Sequence, residues 1–392
     1  MNERKTSSFG WAPRIGRLLG IEVRIHLTFL LLLGFIGLAR WLPERSAAAG
    51  WSGVLFFSLL FGCVLLHELG HALAARQFGI QTKDITLLPI GGVARLERMP
   101  EKPSQELWVA LAGPLVNVII AGGLLAGLLL KGGEFGLGSW STSSGSLVER
   151  LLAANVFLVL FNLLPAFPMD GGRVLRALLA MRLPYARATR IAARIGQGMA
   201  VVFGFAGLFL NPFLILIALF VWIGAAQEAN AAEMKSSLAG VPVREAMLTE
   251  FQSVAPDETL DDLARRILAG AQQDFPVLDS SGQLVGLITR DRFFSALRDQ
   301  GDGERVLHVM TTEFPATTPD EMLEAVFSRM HPAWCSTLPV LREGRLVGLL
   351  TAENIGEFVM IQAAMNARGR SHWTAPPPMI PAGTGLRPCR IP

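Results

Sequence analysis

Two histidines and a glutamate stand at His67-Glu68-Leu69-Gly70-His71, inside an otherwise uncharged segment that runs from Trp51 to Ala75. The i, i+4 spacing puts both imidazoles on one helical face, a single turn apart, where they can grip one zinc ion. The carboxylate beside the first histidine can act as general base toward an attacking water. This is the pattern of metal-assisted peptide hydrolysis, drawn in a membrane span. Ionisable groups at bilayer depth cost roughly 2.5–3.5 kcal/mol each on insertion scales. A chain keeps them there when they pair with each other, with a metal or with a water-filled cavity.

The elements that must hold these groups are apolar. Of the 392 residues 51% are hydrophobic and only 17% charged, which excludes an ordinary soluble protein. The expected fold is a multi-pass α-helical membrane protein of about six spans, with a cytoplasmic α/β module behind it. The first apolar stretch is Ile21 to Leu42, interrupted by Glu22, Arg24, His26 and Arg40. A secretory leader cleaved near Ala47-Ala48-Ala49 is the competing reading. Retention as a span is favoured, because the basic leader over 1–20 is long and the chain that follows is itself a membrane domain. The second stretch, Trp51 to Ala75, carries the histidines. The third is Leu107 to Leu130 and the fourth Leu151 to Met169. Ile195 to Gln227 holds 33 uncharged residues, near 50 Å of helix and too long for one crossing of a roughly 30 Å core. Asn211-Pro212 divides it into two short spans.

Lysine and arginine set the orientation. The leader carries Arg4, Lys5, Arg14 and Arg17, and the connection after the second span carries Arg76, Lys83, Arg95, Arg98 and Lys102. The connection after the fourth carries Arg173, Arg176, Arg182, Arg187, Arg190 and Arg194, whereas the alternate loops are poorer in base. Both termini therefore face the cytoplasm, in a cell membrane. The basic residues flank spans instead of forming a stripe, so nucleic acid is not an expected partner despite the net charge of +3. Cys63, Cys335 and Cys389 lie far apart and read as unpaired thiols.

A third metal ligand should come from elsewhere at the depth of His67 and His71. Asp170 is the candidate, in Asn162-Leu-Leu-Pro165-Ala-Phe-Pro168-Met-Asp170-Gly171-Gly172. It closes the fourth span on the same cytoplasmic side, and the orientation argument that puts it there made no use of the zinc motif. The prolines break the helix and the glycines let the chain turn tightly.

Together, His67-Glu68-x-x-His71 and Asn162-x-x-Pro165-x-x-Pro168-x-Asp170-Gly171 resemble the site-2 protease family of intramembrane zinc metalloproteases, over roughly residues 10–230. The resemblance implies His67, His71 and Asp170 as ligands of one Zn2+ and Glu68 as base. It implies Asn162 as a polar group that positions the substrate or stabilises the oxyanion. Ile90-Gly91-Gly92-Val93, among Ile85, Leu87 and Leu88, matches a family strand that pairs with the unwound substrate; a plain hairpin turn is the alternative. Ala112-Gly113-Pro114-Leu-Val-Asn117 matches a family motif in the third span, with Asn117 either hydrogen-bonding near the site or packing helices. His26 reads as an interfacial histidine and Asn155 as a packing residue. The implied substrate is a transmembrane protein segment, cut near its cytoplasmic end. A transporter whose His, Glu and Asp line an ion path, and an inactive scaffold, are the alternatives. Conduction does not require the joint motifs, and Glu68 with all three ligand candidates is intact.

After Gln227 the composition becomes polar and an internal repeat appears. Met247, Pro256-Asp257-Glu258 and Phe275-Pro276-Val277 recur 63 residues later as Met310, Pro319-Asp320-Glu321 and Leu338-Pro339-Val340. Gly286-Leu-Ile-Thr289 recurs 62 residues later as Gly348-Leu-Leu-Thr351. Leu260, Leu263, Ile267 and Leu268 give the first helix its apolar face, and strands flank a turn at Ser281-Gly282. This resembles a pair of CBS domains over about 241–361, here divided as 241–300 and 304–362, which implies adenine-nucleotide binding, regulation of the attached enzyme and a possible homodimer. The family's ribose-binding aspartate lies three residues after the threonine, where this chain has Arg292 and Asn354. A nucleotide could still bind through backbone groups, Thr289 and Thr351, but a purely structural or dimerising pair is equally compatible. The tail over 364–392, rich in proline, glycine and arginine, is expected to be disordered.

Overall fold

Ile21, Val23 and Ile25 alternate with Glu22 and Arg24, a period of two that argues for a strand and not for the start of a helix. In the computed structural model, which describes residues 12–89, 91–97, 100, 102–130, 145–330 and 337–367, this segment is a strand. The first apolar stretch therefore divides. Strands β1 (Arg14–Leu18) and β2 (Ile21–Ile25) form a hairpin, and helix α1 follows over Leu27–Glu44. His26 sits between them as an N-cap, its Nδ1 accepting from the Thr28 amide at 3.3 Å.

Helix α2 (Ala47–Gln77) carries the paired histidines; its start is capped by the Ser46 hydroxyl. Strands β3 (Thr82–Leu88) and β4 (Gly91–Leu96) follow, and the sheet has the order β1-β2-β3-β4. β2 and β3 run parallel, while β3 and β4 are antiparallel with Leu87 opposite Gly92 and Leu88 opposite Gly91. β4 thus forms one edge of the sheet. Beyond it come helices α3 (Pro103–Leu130), α4 (Leu147–Asn162), α5 (Asp170–Ala180), α6 (Tyr185–Phe209) and α7 (Phe213–Leu238).

Among the described residues, four helices are long and apolar enough to cross a membrane: α2, α3, α6 and α7. The long apolar run after Ile195 divides at Asn211-Pro212, where Asn211 accepts from the Phe213 amide. α1 is a shorter apolar helix. α4 is 16 residues long, from the Ser146–Glu149 capping box to Asn162, and stops there because Pro165 and Pro168 cannot continue it. Phe35, Trp51, Ile119, Leu130, Leu160, Phe205 and Leu208 lie on the outside of these helices, more than 60% exposed, a surface suited to lipid.

The chain divides into two compact units, Met1–Ala232 and Glu233–Pro392. In the second, helix α8 (Leu260–Ala269), strands β5 (Phe275–Leu278) and β6 (Leu284–Ile288) and helix α9 (Arg290–Gln300) form one copy of the repeat. After the short α10 (Val306–Val309), the second copy is built from α11 (Leu323–Arg329), β7 (Thr337–Arg342), β8 (Arg345–Thr351) and α12 (Ala352–Ala367). The copies exchange edges symmetrically: Leu248 bridges to Leu349, and Thr311 bridges to Leu287. Gly282 adopts φ +79° at the expected turn. Leu260 and Leu263 are fully buried, but Leu268 is 87% exposed; it stands at the end of α8 one residue past the buried stripe, so the apolar face is narrower than expected. α12 continues to Ala367, past the expected start of the tail at 364, and residues 368–392 lie outside the described part.

Candidate metal centre

Two elements bring three side chains to one point. His67 and His71 project from one face of α2, and Asp170 from the first turn of α5. His67 Nε2 lies 3.2 Å from Asp170 Oδ2, His71 Nε2 lies 3.1 Å from the same oxygen, and the two Nε2 atoms are 3.1 Å apart. All three residues are buried. A tetrahedral zinc with bonds of about 2.0–2.1 Å separates its ligand atoms by roughly 3.3–3.4 Å, so this triangle is close to one face of such a tetrahedron.

Proton placement supports the same reading. His71 Nδ1 donates to the Val109 carbonyl at 2.7 Å, and His67 Nδ1 lies 2.5 Å from Asn117 Oδ1. With both Nδ1 atoms protonated, both Nε2 atoms turn a lone pair toward each other and toward a carboxylate oxygen. Three electron-rich atoms at van der Waals contact or closer repel unless a cation lies among them. Gly113 keeps that space open. A Cβ there would run into His71 Nε2 and come within 2.8 Å of His67 Nε2. The residues present therefore fit a small divalent cation with nitrogen and oxygen ligands, which suits zinc.

The Asp170 turn is held from several sides. Gly171 and Gly172 let α5 begin directly against the preceding loop: a Cβ on Gly172 would be 2.6 Å from Ala166 C and Phe167 N, and one on Gly171 would strike the Leu163 and Leu164 carbonyls. Six residues along α5, the fully buried Arg176 pairs with Glu106 of α3 at 2.6 Å and Glu228 of α7 at 2.7 Å. Its guanidinium also lies over the rings of Phe167 and Tyr185. α3, α5 and α7 are thereby joined at the base of the helix that presents Asp170.

Glu68 is half-buried beside β4, where a Cβ on Gly92 would be 2.6 Å from its Cγ. Gly91 and Gly92 thus bring a sheet edge to the carboxylate. Asn117 is fully buried, contacts His67, and passes its amide on to Asn155 at 2.8 Å. Asn162 closes α4 half-buried, and no hydrogen bond among the described residues ties it to the cluster. Asn155, read from the sequence as packing, is a fully buried amide that touches Asn117. The available signal was an amide within an apolar span, where unpaired polar groups are costly.

In the second unit a cleft of about 650 Å³ lies between the repeat copies, lined in part by Asp274, Thr337, Thr351 and Asn354. Thr351 Oγ1 donates to Asn354 Oδ1 at 2.6 Å, and Thr337 Oγ1 donates to Asp274 at 2.6 Å. Arg292, at the equivalent of Asn354 in the other copy, donates to the Val309 carbonyl. Thr289 is the N-cap position of α9 and does not line this cleft.

Comparison with known proteins agrees with both halves. The profile of Peptidase family M50 matches residues 55–134 and 133–203, and that of the CBS domain matches 243–299 and 306–360. A zinc metalloprotease of Methanocaldococcus jannaschii is 36% identical over 279 residues, covering 71% of this chain and 78% of its own. A chain from Synechocystis sp. is 28% identical over 368 residues, 88% of this chain and 92% of its own length. The solved site-2 protease from Methanocaldococcus jannaschii shares 38% identity over 56% of this chain and 95% of its own, with a TM-score of 0.42. With two imidazoles and a carboxylate converging on one point in a chain so related, the protein belongs to the M50 peptidases, as a zinc metalloendopeptidase of the site-2 protease type with a CBS domain pair.

Proposed function

We propose that this protein hydrolyses a peptide bond within a transmembrane segment of membrane-protein substrates, near the cytoplasmic side, in regulated intramembrane proteolysis. The observation that carries this reading is the convergence of His67 Nε2, His71 Nε2 and Asp170 Oδ2 beside Glu68, in a unit of apolar helices. His67, His71 and Asp170 would hold one Zn2+ and leave its fourth position open. Bound there, zinc would polarise the scissile carbonyl and lower the pKa of water.

Glu68 takes the proton of the water that adds to the carbonyl carbon and returns it to the amine nitrogen as the C–N bond breaks. Asn117 orients His67, and Asn162, at the end of α4, positions the substrate or meets the developing oxyanion. β4 receives the substrate. A helical segment must unwind before hydrolysis, and the edge of β4 at Gly91-Gly92 offers replacement backbone hydrogen bonds next to Glu68.

The membrane domain would extend over 21–230 in about six spans, α1 and α4 joining the four long helices, in the cell membrane with both termini cytoplasmic. The CBS pair, over 241–300 and 304–362, would regulate the protease, either by binding an adenine nucleotide in the cleft at Thr351 or by pairing two chains.

The test is Glu68→Gln in purified full-length protein with a reconstituted transmembrane substrate. Cleavage should fall by about 10²–10⁴-fold with zinc content unchanged, because the base is lost and no ligand is. Cleavage at the wild-type rate would end this reading.

A further inference from the structure

Asn155 lies on α4, two residues deep behind the metal centre, where nothing in the hydrolytic chemistry calls for an amide. Its hydrogen bonds form a chain with one fixed end. Asn155 Nδ2 donates to the Leu151 carbonyl at 2.8 Å and approaches Cys63 Sγ at 3.5 Å. A backbone carbonyl can only accept, so Asn155 must turn its NH2 toward Leu151 and its Oδ1 the other way. That oxygen can only accept in turn, and it receives Asn117 Nδ2 at 2.8 Å. Asn117 is thereby forced to present Oδ1 to His67 Nδ1, 2.5 Å away. His67 must then carry its proton on Nδ1, which leaves Nε2 free on the side of Asp170 and His71.

We propose that Asn155 is a positioning residue for zinc binding, transmitting the polarity of the Leu151 carbonyl through Asn117 to fix the tautomer and ring orientation of His67. The proposal rests on the reading above that His67 binds zinc through Nε2. Both asparagines are fully buried, so water does not compete for these bonds. His71 needs no such relay, because its Nδ1 is held directly by the Val109 carbonyl. Of the two histidines, only His67 has a tautomer set by side chains, and only His67 can be unlocked by substitution.

The experiment measures zinc affinity by chelator competition, with the absorption spectrum of the cobalt-loaded protein as a second readout. It uses full-length protein in detergent. If wild type bound no zinc, the proposed function would fail before this inference was reached. With zinc bound in wild type, Asn155→Leu should weaken it roughly 10–100-fold, the usual cost of losing an outer partner of a ligand. The decisive variant is Asn117→Asp combined with Asn155→Leu. A carboxylate accepts through both oxygens and needs no donor partner to orient it, so it should hold His67 Nδ1–H unaided and restore affinity to within about threefold of wild type. Unchanged affinity in Asn155→Leu would overturn the proposal. So would a loss that Asn117→Asp does not rescue, because the damage would then not run through the orientation of residue 117. Should Asn155→Leu not fold, Asn155→Ala, which removes the amide without adding bulk, is read in the same way.

Discussion

At the metal centre the polar atoms of His67, His71, Asp170, Asn117 and Asn155 answer one another in a buried network whose open face can take only a cation. In the second unit the side chains at the positions the CBS resemblance singles out are engaged with neighbours of their own. Thr351 bonds Asn354 on the cleft wall, and Arg292 bonds the Val309 carbonyl outside it. Both regions match their family's profile. The first brings the three metal-ligand candidates together, whereas the second has Arg292 and Asn354 where the CBS resemblance calls for aspartate, so likeness of family does not by itself carry the chemistry. Burial explains part of the contrast. His67, His71, Asp170, Asn117 and Asn155 are all buried, whereas Thr351 and Asn354 are half-buried on the wall of an open cleft.

The largest effect that would test this contrast is on metal content. Asp170→Ala removes one of three protein ligands, and zinc in the purified protein should fall from about one per chain toward none, read by elemental analysis. Full retention would mean that the network does not define the site.

Arg176 measures how far the network extends. Arg176→Met leaves Glu106 and Glu228 without their shared partner, one of them buried. Breaking a buried ion pair from one side costs about 3–5 kcal/mol, seen as a lowered thermal midpoint in detergent. Adding Glu106→Leu should recover part of the loss, since the stranded charge is gone. If the single variant were as stable as wild type, the triad would not be what holds α5.

Space is the third measure. Gly113→Ala should weaken zinc by roughly 10–100-fold, because its methyl would meet His71 Nε2 and His67 Nε2. Gly122→Ala on the same helix, with nothing within 4 Å of the added carbon, is the control and should leave affinity unchanged.

The same contrast governs what the sequence could tell. His67, His71 and Asp170 were readable because metal chemistry restricts residue type and spacing together. The two-copy architecture was readable because hydrophobic period and turn glycines repeat. The bonds of Asn155 were not, since one asparagine in an apolar helix has the same appearance whatever it touches, and its link to Asn117 depends on how α4 meets α3. The strand at Ile21–Ile25 was legible only in the alternation of Ile21, Val23 and Ile25 with Glu22 and Arg24; by hydrophobicity alone its apolar residues merge with those of α1 into a single span. Asn117 was legible as a polar residue near the site, but its orientation toward the back of His67 depends on how α3 meets α2.

The smallest expected effect lies in the cleft. The CBS resemblance places a ribose-binding carboxylate where this chain has Asn354, and Asn354 lines the open cleft with Oδ1 already accepting from Thr351. Asn354→Asp keeps that acceptor and replaces the amide nitrogen, a donor, with a second oxygen facing any sugar hydroxyls. A hydrogen bond to a charged group contributes about 1.5 kcal/mol, so adenosine should bind roughly tenfold more tightly. Adenosine is the probe of choice because Glu250, Glu353 and Glu357 line the cleft and would repel phosphates, while Arg266 beside them is already paired with Glu258. The affinity order should therefore be adenosine above AMP above ATP, measured by calorimetry on the full chain in detergent. Arg292→Asp makes the matching exchange in the other copy. It should gain no binding and lose stability, because it releases the Val309 carbonyl. A gain at Asn354 alone would show that this cleft lacks only its ribose contact. No gain at either position would mean that the second unit has kept the CBS fold without the CBS ligand, and the contrast between the two halves would be complete.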